Sequence, residues 1–194
     1  MSVYAQKAAA LILLIPLIGG CAGRGVKYHN PEMDFASLKS VAVLPLSNLT
    51  KDQYAAERVR DVFITMLLAT GSMYVIPPGE VFRGLARAGM ADPTHPSAEE
   101  VKRLAGIVSV DAVITGTVRE YGEVRSGQTA ANTISVTLQM MEAQTGRVVW
   151  TGATTKGGIT FKDRLFGGGG EPLEEVTRVA VEDLLDKLFE KAGE

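Results

Sequence analysis

Helical periodicity separates the first three strand-like runs of this chain, whereas only short connections separate the last three. That contrast restricts the topology strongly, because parallel neighbours need a long crossover and antiparallel neighbours need only a turn. Leu38–Asn48 carries Val41, Val43 and Leu44-Pro45-Leu46, and reads as a buried first strand with Pro45 at its exit. Thr50 and Gln53 have the spacing of a capping box. From there Ala55, Val59, Val62, Phe63, Met66 and Leu67 recur at steps of three and four, which predicts a helix ending at Gly71, with Glu57, Arg58 and Asp61 on its wet face. Met73–Ile76 is a short second strand closed by Pro77-Pro78. A short helix follows over Gly79–Ala88, with Val81, Phe82, Leu85 and Ala86 inward. Ser97 and Glu100 form a second capping box and open a helix through Val108. Asp111–Tyr121, Asn132–Glu142 and Arg147–Thr155 are the third, fourth and fifth strands, and Glu171–Ala192 is a closing amphipathic helix.

The resulting order is β-α-β-α-α-β-β-β-α: one α/β domain over residues 37–192, a mixed sheet with helices packed on it. The first three strands are expected to be parallel and the last three to form a meander. In that arrangement the connections 122–131 and 156–170 leave the sheet at one end, and the tight Ala143–Gly146 turn lies at the other. Long loops on a rigid sheet are common places for binding. Ser126, Gln128, Phe166 and Gly168 are therefore the candidate partner-facing positions.

The N-terminus carries an address. Lys7 precedes the apolar run Ala8–Ile18, and the small residues Gly19 and Gly20 follow, which is the layout of a secretory signal. The run is about half of the roughly 20 residues that a membrane-spanning helix needs. Ile18-Gly19-Gly20-Cys21 resembles a bacterial lipobox, in which the thiol is diacylated and the chain is cut before it. Lipid attachment at Cys21 is thus expected, with 1–20 a lipoprotein signal peptide and 21–36 a lipidated N-terminus and flexible tether. Ala22 stands where retention at the inner membrane would want Asp, which favours the outer membrane, facing the periplasm.

Composition narrows the chemistry. The 46% hydrophobic content of these 194 residues excludes intrinsic disorder, and the formal charge of −2 gives no field for phosphate, so no nucleic-acid partner is expected. One cysteine cannot form an internal disulfide, and two histidines leave little for a transition metal. His29 and His95 read as surface-loop residues. Gly167–Gly170 runs into Glu171-Pro172 and not into the Gly-Lys-Ser/Thr ending of a phosphate loop, so it reads as a hinge. Glu99-Glu100 and Glu174-Glu175 sit in first helical turns, where acids complement the dipole. Arg119 to Arg125 reads as a solvated strand end, and Met140, Met141 and Trp150 as packing residues. No catalytic residue, metal or cofactor is expected, and the chain reads as non-enzymatic.

Three stretches carry a family resemblance: Val41-Ala42-Val43-Leu44-Pro45-Leu46, the run Val110 to Tyr121 with its Gly116, and the strand-turn-strand Ile134 to Trp150. Together they resemble the periplasmic lipoprotein superfamily containing CsgG and the LpoB activators of penicillin-binding proteins, and within it a branch of small lipoproteins of undefined role. The resemblance spans Leu38 to Leu188. It implies a lipid-anchored adaptor or activator bound to an envelope protein, with LpoB-like regulation of a cell-wall synthase as the leading specific case. The alternative is a soluble oligomeric accessory part of a secretion or transport system of CsgG-like ancestry, and a homo-oligomer is compatible with either. A membrane β-strand needs about 9–11 residues. Neither 122–131 nor 156–170 holds two such strands, so pore hairpins are not expected.

Overall fold

The computed structural model describes residues 26–159 and 170–190. Along these run β1 (Lys27–His29), β2 (Ser40–Val43), β3 (Ser47–Asn48), α1 (Ala55–Thr70), β4 (Tyr74–Val75), α2 (Pro78–Ala88), α3 (Ala98–Val108), β5 (Ala112–Ser126), β6 (Thr129–Glu142), β7 (Val148–Gly157) and α4 (Leu173–Phe189). All seven strands belong to one sheet, ordered β1-β7-β6-β5-β2-β4, and β3 pairs with β5 beyond the end of β2. β4, β2 and β5 are parallel and helix-linked, whereas β5, β6 and β7 form an antiparallel meander. The mixed α/β domain expected from the sequence is the one observed.

The sheet separates two apolar layers. On one face α1 and α4 bring Phe63, Leu67 and Leu184 against Val43, Ile114, Leu138 and Trp150. On the other, α2 and α3 bring Val81, Leu85 and Leu104 against Ala42, Leu44, Val113 and Met141. Trp150 is fully buried, and its indole N–H donates to the Lys187 carbonyl at 3.2 Å. At Gly116 an added Cβ would lie 2.2 Å from the Thr137 carbonyl oxygen, so only glycine lets β5 and β6 approach there. As β2 leaves the ladder before Pro45, the Arg60 guanidinium donates to the Val43 and Leu44 carbonyls. Its burial pulls its pKa below the usual arginine range, despite the nearby acids Asp61 and Glu57.

Several local expectations are corrected. Within the segment 21–36, Lys27–His29 adds an edge strand to β7 and Asp34 caps a 3-10 turn at Phe35–Ser37. His29 accordingly lies in a strand, edge-on to Phe35 at 5.2 Å and against the Leu188 carbonyl. Thr50 does not cap α1. Its hydroxyl is engaged with Asn48 and Asp52, and the helix starts at Ala55. Phe82 and Ala86 face solvent, because the buried stripe of α2 is Val81, Gly84, Leu85 and Ala88. The connection 122–131 is no loop: β5 continues to Ser126 and β6 starts at Thr129. The Ser97–Glu100 box forms as expected, with Ser97 Oγ accepting from Glu100 N at 3.3 Å and Glu100 Oε2 accepting from Ser97 N at 2.9 Å.

Candidate interaction surfaces

The closest approach to a catalytic arrangement among the described residues is Asp92, Thr94 and His95. The Thr94 hydroxyl and an Asp92 oxygen both meet the same imidazole nitrogen, Nδ1, at 2.8 and 3.1 Å. A base that activates a hydroxyl needs one ring nitrogen for it and the other for the orienting carboxylate. Sharing Nδ1 makes this a surface turn. Hydrogen bonds from the Thr94 hydroxyl, the Thr94 backbone and His95 hold the Asp92 carboxyl below the usual range. Among the described residues no group of three or more His, Cys, Asp and Glu could hold a metal ion.

The geometry is more distinctive at one end of the sheet. β2 and β3 accompany β5 only as far as Val118, and β7 accompanies β6 only to Thr133. Beyond Val118 β5 pairs with β6 alone, and from Glu123 opposite Asn132 to Ser126 opposite Thr129 the two strands pair only with each other and project as a hairpin. The pairing skips Arg119, an extra residue on β5. Because side chains alternate faces, this bulge turns Glu120 away from the apolar face and sets Tyr121 on it, opposite Ile134. The tip is a two-residue turn with Gly127 first, at φ 62°, which suits the twist of the flanking strands.

Ser126 and Gln128 are both exposed at this tip. Gly158 N–H donates to the Asn132 carbonyl, and Gly170 N–H to that of Ala130, so both flanks of 160–169 attach to the hairpin's β6 side. The Gln144–Gly146 turn is at the opposite end, where Glu142 pairs with Ala112. Phe166, Gly168 and Cys21 lie outside the described residues.

Two further surfaces were not singled out from sequence. α2 and α3 cover only part of their sheet face, so Thr117, Ser135, Thr137, Gln139, Thr151 and Thr155 form a polar face without a helical layer. Between α1 and α4 run two adjoining hollows of about 510 and 440 Å³ that share Asp61, Val62 and Glu174. Val62, Met66, Tyr121 and Leu173 supply apolar lining. Arg178 beside them is held by Glu175 at 2.7 Å and Glu182 at 3.0 Å, and Arg58 by Asp52 at 3.1 Å. The Arg178 hydrogen bond keeps the Glu175 carboxyl below its usual range. Asp61 and Glu174 have no ion-pair partner among the described residues. The sequence signal for this groove was available in the apolar step Val62–Met66 beside Asp61, but periodicity assigns those apolar residues to the core.

A helix-covered mixed sheet with a projecting antiparallel hairpin defines the class: a small mixed α/β domain. The chain belongs to the GNA1162-like family, whose model, described as "Putative lipoprotein GNA1162-like", matches residues 31–192. Lipoprotein GNA1162 from Neisseria meningitidis superposes with a TM-score of 0.57 at 19% identity, covering 79% of this chain and 99% of that one. A PelC dodecamer from Paraburkholderia phytofirmans gives 0.56 at 18% identity, covering 85% of this chain and 98% of that one. The LpoB C-terminal domain from Salmonella enterica is more distant, at 0.47 and 15% identity over 60% of this chain and 81% of that one. Among curated proteins, none matches. The membership agrees with the superfamily resemblance read from the three sequence stretches.

Proposed function

We propose that the chain is a non-enzymatic, lipid-anchored adaptor of the bacterial envelope, held on the periplasmic side of the outer membrane through Cys21 and presenting its hairpin end to an envelope protein. The observation that carries this reading is membership of a lipoprotein family over 31–192, with a lipobox cysteine close ahead of the matched region. LpoB-like activation of a cell-wall synthase is the leading specific case. The exposed Ser126 and Gln128 are partner-facing, as are Phe166 and Gly168 in the neighbouring connection. The charge of this end supports an adaptor over a pore: beyond the bulge at Arg119, β5 carries Glu120, Glu123 and Arg125, and this outer stretch is also shorter than the roughly 9–11 residues of a membrane strand.

Self-assembly belongs to the same reading. PelC, which shares this fold, is a dodecamer, and a homo-oligomeric ring would present many hairpin tips together.

The anchor is tested first. A fatty-acid probe fed to cells is expected to label the wild-type chain, and Cys21→Ser to abolish labelling and release the protein from membranes. Unchanged labelling of the variant would refute lipid attachment at Cys21.

A further inference from the structure

A single exposed apolar side chain is ordinary on a protein surface, and the one on α2 is set apart by the charge beside it. On α2, Phe82 is 72% exposed. Arg83 and Arg87, one helical turn apart, share its solvent side, and neither has an ion-pair partner among the described residues. An exposed aromatic side chain with two guanidinium groups to one side of it, neither in an ion pair among the described residues, has the composition of an interface anchor.

The groove between α1 and α4 has the complementary character. Its apolar lining is Val62, Met66, Tyr121 and Leu173, and the carboxylates Asp61 and Glu174, neither in an ion pair among the described residues, stand over the part that both hollows share. The neighbouring arginines are already neutralised by their own acids. The groove therefore offers an apolar seat with a net negative rim. The Phe82 patch offers an apolar anchor with a positive rim. Both belong to this chain, and they lie on opposite faces of the sheet, because α2 packs in one apolar layer and α1 with α4 in the other.

We infer that Phe82 of one copy seats in the α1–α4 groove of a second copy, with Arg83 and Arg87 facing Asp61 and Glu174. The inference rests on the self-assembly reading and supplies its interface. Two different patches meet, so the contact is heterologous and propagates from copy to copy, closing into a ring or continuing as a filament. An isologous dimer would require one patch to meet itself. The hairpin tips are not used by this contact and remain available to an envelope partner.

The test uses the full-length acylated chain in detergent, followed by sedimentation over a range of concentrations and with circular dichroism to confirm folding. The wild type is expected to assemble beyond a dimer. Phe82→Ser, the pair Arg83→Glu with Arg87→Glu, and the pair Asp61→Lys with Glu174→Lys are each expected to raise the assembly midpoint at least tenfold. The four charge changes combined restore the complementarity in reverse, and are expected to return the midpoint to within a few-fold of wild type. A wild type that stays monomeric would overturn both the self-assembly reading and this interface. Assembly indifferent to all three surface changes, or not recovered by the fourfold swap, would overturn this interface and leave self-assembly standing.

Discussion

Asp111 shows how one carboxylate joins two strands. Its Oδ2 accepts the backbone N–H groups of Lys39 and Ser40 and the Ser40 hydroxyl, each at 2.9 Å, where β2 and β5 begin side by side. These donors, the Lys39 backbone foremost, hold its carboxyl below the usual range against a smaller opposing effect of burial. A folded-state pKa that is depressed contributes stability that is fully present above the unfolded value, near 3.9 for Asp, and is lost as pH falls through the folded value. Asp111→Asn is therefore expected to cost about 1 kcal/mol at neutral pH, a modest amount because the group is half-exposed. It is also expected to flatten the acid limb of the stability profile below about pH 4. Urea midpoints from pH 2 to 7 measure both, and identical acid limbs in the two proteins would contradict the assignment. In the sequence this aspartate is visible only as the polar residue ahead of Ala112, since nothing local announces a partner in a strand so far upstream.

At the scale of elements, two similar motifs behave differently for a physical reason. Ser97 and Thr50 each precede a Glu or Gln by three residues, yet only Ser97 caps a helix. The Thr50 hydroxyl is taken by Asn48 and Asp52, and Asp52 in turn accepts from the Tyr54 N–H, so a turn occupies the place of the first helical residues. The strands were legible wherever apolar alternation marked a buried face. They were not legible where backbone pairing alone makes a strand, as at Lys27–His29, or where polar residues continue one into solvent, as from Gly122 to Ser126. That continuation has a measurable consequence. Over Ala112–Ile114 and Thr117–Val118, β5 is paired on both sides, whereas from Glu120 onward its outer edge pairs with no other described strand. Local opening is easiest where fewest contacts must be broken. In the dispersed chain, amides over Glu120–Ser126 are expected to exchange at least tenfold faster than those over Ala112–Val118. Uniform protection along β5 would show that the outer edge is covered.

For the whole molecule, the order of strands, the switch from parallel to antiparallel and the shared end of the two connections were all readable from connection lengths. The groove between α1 and α4 was not, because its apolar residues have the same spacing as core residues and its acids the same spacing as a wet face. β1 also orients the domain. It runs antiparallel to β7, so the chain enters it from the hairpin side, and Val26 still holds the Ala153 N–H there. From Val26 back to Cys21 a fully extended chain spans at most roughly 18 Å. An acylated Cys21 would therefore keep the domain close to the leaflet and place the hairpin's partner near the membrane surface. The most direct measurement is photocrosslinking in living cells from a reactive side chain at position 128, compared with position 144 at the far end of the sheet. A discrete envelope-protein adduct is expected from position 128, absent from position 144 and lost when Cys21→Ser is added. No discrete adduct from position 128, or the same adducts from both ends, would contradict an anchored adaptor that works through its hairpin.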